Sequence, residues 1–141
     1  METATKKTII IETTINATLA KVWKNWTKPD HIVKWSHASD DWHTTRAEND
    51  LREGGKFSSR MEAKDGSFGF DFGGVYDKIK EKEYIEYTIG DGRNVKIFFT
   101  SQNDKIKIVE TFEAENTNSL EMQKGGWQAI LDNFKKYTES N

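Results

Sequence analysis

Between Trp42 and Phe112 the chain alternates apolar and polar residues with a period of two, and turn-forming residues interrupt the alternation at short intervals. Glu53-Gly54-Gly55, Lys64-Asp65-Gly66, Gly90-Asp91-Gly92 and Gln102-Asn103-Asp104 each separate two strand-like runs, as hairpin turns do. The alternation assigns faces. Phe57, Ser59, Met61 and Ala63 share one side of a strand, and Ile85, Tyr87 and Ile89 share a side of another. Val95, Ile97 and Phe99 follow, then Ile106, Ile108, Glu110 and Phe112. The intervening positions are mostly polar, among them Lys96, Lys105, Lys107 and Thr111, so the pattern predicts an antiparallel meander with one wet and one buried face. Phe70, Phe72, Gly74 and Tyr76 also share a face, but Ile79 falls out of phase with them. A bulge near Asp77-Lys78 restores the phase and bends the sheet.

Helical spacing flanks this region. Residues 6–15, rich in β-branched side chains, read as a first strand. Thr18 is placed to N-cap a helix running through Trp26, with Leu19, Val22, Trp23 and Trp26 on one face. Pro29, the only proline, ends that helix and opens a short second one carrying Ile32, Val33 and Trp35. The polar stretch Ser36–Asp41 reads as a loop. A last helix over 119–138 bears an apolar stripe of Trp127, Ile130, Leu131, Phe134 and Tyr137. Gly125-Gly126 weaken it by roughly 1 kcal/mol each relative to alanine, which points to a bend or a close approach there, near a cavity mouth. The whole predicts an α+β chain, a single domain over residues 1–141, with a curved antiparallel sheet wrapped around the C-terminal helix.

Composition sharpens this picture. Aromatic residues make up 12% of the chain while all hydrophobic residues reach only 35%, so few side chains fill the core and many of them are rigid rings. Such rings bury large areas but pack with gaps where a small molecule fits. Lys+Arg 21 against Asp+Glu 23 gives a net charge of −2, and the two signs are interspersed. That argues against a nucleic-acid binder. The absence of cysteine excludes disulfides and thiolate chemistry. Met1–Lys7 has no apolar stretch after its charges, so no signal peptide is expected, and no run approaches the roughly 18 apolar residues of a membrane span. A cytoplasmic protein without a cofactor is the expectation.

Glu110 is the residue most suggestive of chemistry. Strict alternation with Ile106, Ile108 and Phe112 points its carboxylate inward, where it must be paired, hydrated or protonated. A ligand-binding or acid/base group at a cavity wall meets that requirement, as does a structural pair with an arginine, and a local bulge would turn the side chain outward instead. Tyr76, Tyr87 and Ser59 share the inner face and are placed to orient a ligand's polar group, or else to reach the rim as core tyrosines. Trp35, Trp42 and Trp127 offer flat faces for stacking. Met61, Phe70, Phe72, Ile97, Phe99, Ile130 and Phe134 complete the expected apolar wall, with His43 beside Trp42 at its mouth. His31, His37 and His43 recur every six residues, a spacing that suits neither one helix face nor a tight zinc pair, so no metal is expected. No Gly-x-Ser-x-Gly elbow or phosphate-binding loop occurs. Asp50, Arg52 and Arg93 read as turn-stabilising surface charges.

In order along the chain stand Trp23…Trp26-Thr27-Lys28-Pro29…Trp35, Asp50-Leu51-Arg52-Glu53-Gly54-Gly55, Gly74-Val75-Tyr76…Ile79, Asp91-Gly92-Arg93, Glu110-Thr111-Phe112 and Gly126-Trp127…Ile130-Leu131. In these the chain resembles the START-like (SRPBCC) superfamily, and within it the branch named after the activator of the heat-shock-protein-90 ATPase. The resemblance covers nearly the whole chain and implies the helix-grip fold: a strand, two short helices, a β-meander and a long C-terminal helix. The superfamily includes lipid carriers, hormone receptors and aromatic cyclases, so the fold leaves activity open. Three roles stand in order: binding of a small apolar molecule; a co-chaperone-like interaction module, with a chaperone or a second copy as partner; and a cyclase, dehydratase or hydrolase using Glu110 with Tyr87 or Tyr76.

Overall fold

The computed structural model describes residues 7–140. Lys6, at the head of the predicted first strand, and the residues before it lie outside them. A single seven-stranded antiparallel sheet has the order β1-β7-β6-β5-β4-β3-β2, a continuous meander from β2 to β7 closed by β1 beside β7. The strands are β1 (Thr8–Ile15), β2 (Trp42–Asn49), β3 (Lys56–Ala63), β4 (Gly69–Lys80), β5 (Tyr84–Ile89), β6 (Asn94–Gln102) and β7 (Lys105–Glu113). Between β1 and β2 run α1 (Leu19–Thr27) and α2 (Pro29–Trp35), and α3 (Leu120–Ser140) follows β7. This is the helix-grip arrangement that the sequence predicts.

Local chemistry sets each boundary. The Thr18 hydroxyl accepts from the Lys21 amide at 3.2 Å, satisfying a free N–H at the start of α1, and Pro29 begins α2 where its missing N–H is harmless. Ser119 caps α3 through the Met122 amide at 3.1 Å. The buried Gln123 then fixes how α3 leaves the sheet. Its amide donates to the carbonyls of Glu115 and Asn118 and its oxygen accepts from the Glu115 N–H.

The sheet bends where the pattern predicts. Tyr76 faces Tyr87 and Lys78 faces Glu86, leaving Asp77 as the extra residue of a bulge that brings Ile79 opposite Ile85. A second bulge between Thr44 and Arg46 of β2 has no counterpart in the sequence reading. Gly73 and Gly74 let neighbouring strands close in: a Cβ would stand 2.4 Å from the Phe57 carbonyl oxygen at Gly73 and 2.2 Å from that of Thr88 at Gly74. At Gly125 and Gly126 no part of the protein approaches closely. The helix runs through them, and a Cβ at either would meet nothing within 4 Å.

The concave face holds the core. Ile11, Ile15, Ile85, Val95, Ile97, Ile108 and Phe112 from the sheet meet Leu131 and Phe134 of α3 and Val22 of α1, all essentially inaccessible. Among the described residues no helix is long and apolar enough to cross a membrane.

Candidate functional site

The core does not fill the grip completely. Between the inner faces of β3–β7, α2 and the middle of α3 lies a cavity of about 320 Å³, at the lower end of the ~300–1,000 Å³ of small-molecule sites. Alternation supplies one wall: Phe57, Ser59 and Met61 from β3, Phe70, Phe72 and Tyr76 from β4, Ile85 and Tyr87 from β5, and Glu110 from β7. Helical spacing supplies the other, with Trp26, Ile32 and Trp35 from the short helices and Trp127, Ile130 and Leu131 from α3. Phe70 is 40% exposed and stands at the rim.

The rings are held by one another. Trp127 stacks on Phe112, with centroids 4.0 Å apart and planes 9° from parallel, so one face of the indole is covered by core, and the residue also borders the cavity. Phe57 contacts Tyr87 edge-on at 4.7 Å and Tyr76 at 5.0 Å. Trp35 donates its indole N–H to the Asn25 carbonyl at 2.9 Å, which leaves an apolar ring for the cavity. The loop over Ser36–Asp41 is fastened at its start. The Asn133 side chain of α3 donates to the His37 carbonyl, and the Thr44 hydroxyl donates to that of Ser36.

Glu110 stands apart in this apolar setting. It is 6% exposed, and among the described residues no hydrogen bond or ion pair reaches its carboxyl. Burial alone pushes its pKa up to about 8, so the group is a neutral acid at pH 7. Its strand neighbours across the ladder, Ile11 and Ile97, offer nothing polar. Tyr87 lies close enough for the charged form of Glu110 to oppose its ionisation, and burial pushes the phenol further in the same direction. Tyr76 is likewise raised by burial while its hydroxyl donates to Asn49 Oδ1. Both phenols are therefore neutral, and Tyr87 can serve as a donor but not as a base.

The structure brings most of the predicted site residues together and separates the others. Trp35, Ser59, Met61, Phe70, Phe72, Tyr76, Tyr87, Glu110, Trp127 and Ile130 border the cavity. Trp42 does not: it pairs with Ala63, one step beyond Met61, and packs against Phe68 and Phe70 outside the rim. His43 pairs with Glu62, and alternation turns it to the opposite face. Ile97 and Phe99 lie beneath the wall, Phe99 being covered edge-on by Trp23 at 5.4 Å and Trp26 at 5.7 Å. Phe134 is fully buried behind Trp26 and Trp35, at 4.8 and 4.9 Å.

Arg93 is the lining residue that its turn context hides. Its side chain is only 19% exposed, held by Asp91 at 2.8 Å and donating to the Glu113 carbonyl at 3.4 Å. Trp26, Ile32, Ser36, Phe57, Ile85 and Leu131 also line the cavity, although the pattern marks them only as core, inner-face or loop positions. Among the described residues no cluster of three or more His, Asp or Glu side chains could hold a metal. His31 instead bonds the Tyr137 hydroxyl.

A curved sheet gripping a long helix over an aromatic-walled cavity defines a START-like helix-grip protein. More narrowly, the model of the family described as "Activator of Hsp90 ATPase homolog 1-like protein" matches residues 16–139, and the chain belongs to that family. It is similar to the AHSA1-like protein from Aeromonas hydrophila, with 42% identity, a TM-score of 0.90, and coverage of 95% of this chain and 93% of that one. The Chr148 protein from Cytophaga hutchinsonii is 56% identical, with a TM-score of 0.82 over 94% of this chain and 92% of its own. The CV1439 protein from Chromobacterium violaceum, at 20% identity and a TM-score of 0.84 over 95% of this chain and 98% of its own, shares the fold. A comparison with curated proteins finds no match.

Proposed function

We propose that the protein binds a compact, largely apolar small molecule with one polar end, which meets Glu110. The observation that carries this reading is the unpartnered carboxyl on the wall of an aromatic cavity. A buried acid without a partner destabilises the fold, and a ligand that satisfies it offsets that cost. The volume favours a one- or two-ring compound over a long-chain lipid.

Thermal melting of the wild type and of Ile130→Trp against a panel of compact aromatic compounds tests it. A ligand of the native state at a hundredfold excess over its Kd stabilises by about 2.7 kcal/mol. At least one class is expected to raise the melting temperature of the wild type and to leave the cavity-filled variant unmoved. Equal shifts in both proteins, or none in either, would remove the cavity from the account.

A second reading has its own observation. Phe68, 62% exposed, clusters with Phe70 and Trp42 at the tip of the β3–β4 hairpin, with ring centroids 5.8–6.3 Å apart. Exposed aromatic clusters of this kind mark partner sites, and the family's name suggests a chaperone ATPase as the partner.

A further inference from the structure

Glu110 has a feature that a merely polar ligand end leaves unused: it can become a full negative charge inside a ring-lined wall. We propose that the cavity's ligand ends in a cationic nitrogen, an amine on a compact apolar body, with the Glu110 carboxylate as its counter-ion. The inference rests on the binding reading above and gives that ligand a charge.

Three observations favour a cation over a neutral or anionic end. Among the described residues Glu110 is the only acid on the wall. The wall also holds the rings of Trp26, Trp35, Phe57 and Phe72, and a cation over an aromatic π-face is attracted where an anion is repelled. The remaining polar neighbours do not compete for the role. Tyr76 already donates to Asn49, Tyr87 is a neutral donor, and Ser36 and Ser59 carry no charge. Trp127, Ile130 and Leu131 on the helix side carry no titratable group, nor do Ile11 and Ile97 beside Glu110 in the sheet.

Among the described residues Arg93 is the one charge on the wall that favours an anion. Its guanidinium is paired with Asp91 at 2.8 Å and also donates to the Glu113 carbonyl, so its donors are already engaged within the protein. The basic end of the cavity is thus closed by the protein's own acid. The acidic position is left open.

The proton balance is simple. In the free protein the Glu110 carboxyl is protonated at neutral pH, because burial raises it to about 8. When an ammonium group enters, the carboxyl O–H bond breaks and its proton passes to solvent. The carboxylate then accepts an N–H of the ligand, and no other bond changes. The cavity is electrically neutral before and after, so no net charge is buried.

A matched series tests this: 2-naphthylmethylamine, 2-naphthalenemethanol and 2-naphthoic acid, titrated calorimetrically at pH 6.5 in buffers of different ionisation enthalpy. The amine is expected to bind at least about tenfold tighter than the alcohol, with the acid weakest, and to release about one proton per molecule bound while the alcohol releases none. In Glu110→Gln the amine's advantage over the alcohol and its proton release should both vanish. If that variant does not fold, the wild-type proton count decides alone. An alcohol or acid that equals the amine, or an amine that binds without proton release, overturns the cation and leaves the binding reading intact. Binding of none of the three removes both.

Discussion

At the scale of single residues, Glu110 ties stability to pH. Its folded pKa of about 8 lies above the ordinary glutamate value of 4.5, so the native state holds a proton that the unfolded chain gives up. The stability that this group allows is full below about pH 4.5, falls as pH rises between the two values, and is lost above about pH 8. Glu110→Gln mimics the protonated form. It is expected to equal the wild type near pH 4 and to exceed it by about 3 kcal/mol at pH 7, from 1.36 kcal/mol per pKa unit. Urea melts at several pH values check this, and parallel profiles for the two proteins would contradict a buried, unpartnered acid. Glu110 was legible because strict alternation with Ile106, Ile108 and Phe112 points its carboxylate inward unless a bulge intervenes. Arg93 was not, since a residue after Asp-Gly reads as a surface turn and nothing in the pattern shows its side chain folding back over the β5–β6 end. His43 was misread for a related reason: one step of register separates the cavity face from the outer face, and an edge strand with polar residues on both sides does not declare its phase.

At the scale of elements, the glycines divide into two kinds. Gly74 lies against the Thr88 carbonyl with no room for a Cβ, so Gly74→Ala must push β4 from β5 beside the Asp77 bulge and is expected to cost about 1–3 kcal/mol. Gly126 has open space around it in a continuous helix, and Gly126→Ala is expected to stabilise by up to about 1 kcal/mol. Chemical denaturation of the two variants should therefore shift in opposite directions; a shift of the same sign would refute this account of the glycines. Sequence shows that a glycine weakens a helix but not whether space or contact surrounds it, and at Gly125 and Gly126 it is space. The β4 bulge was visible because Ile79 breaks the phase of Phe70, Phe72 and Tyr76. The β2 bulge was not, since Thr44-Thr45-Arg46 has no apolar phase to break.

At the scale of the whole molecule, a high aromatic share in a chain of modest hydrophobicity leaves a core that is dense beneath Trp23, Phe99 and Phe134 and open between Tyr87 and Trp127. The order of elements was legible from period and turns, while the line between wall and core was not. It depends on which rings stack on one another, as Trp127 does on Phe112. The exterior carries a separate expectation. Phe68→Ser combined with Phe70→Ser should abolish any stimulation of a chaperone ATPase; retained stimulation would assign that partner to another surface. The cavity is tested most directly by carbon-13 NMR titration of the Glu110 side-chain carboxyl, free and saturated with the compound that most raises the melting temperature. The account predicts a midpoint near 8 in the free protein and a displacement of at least about one unit on saturation, because the ligand's polar end rests on that carboxyl. A free midpoint near 4.5, or one unchanged by a saturating ligand, would contradict it.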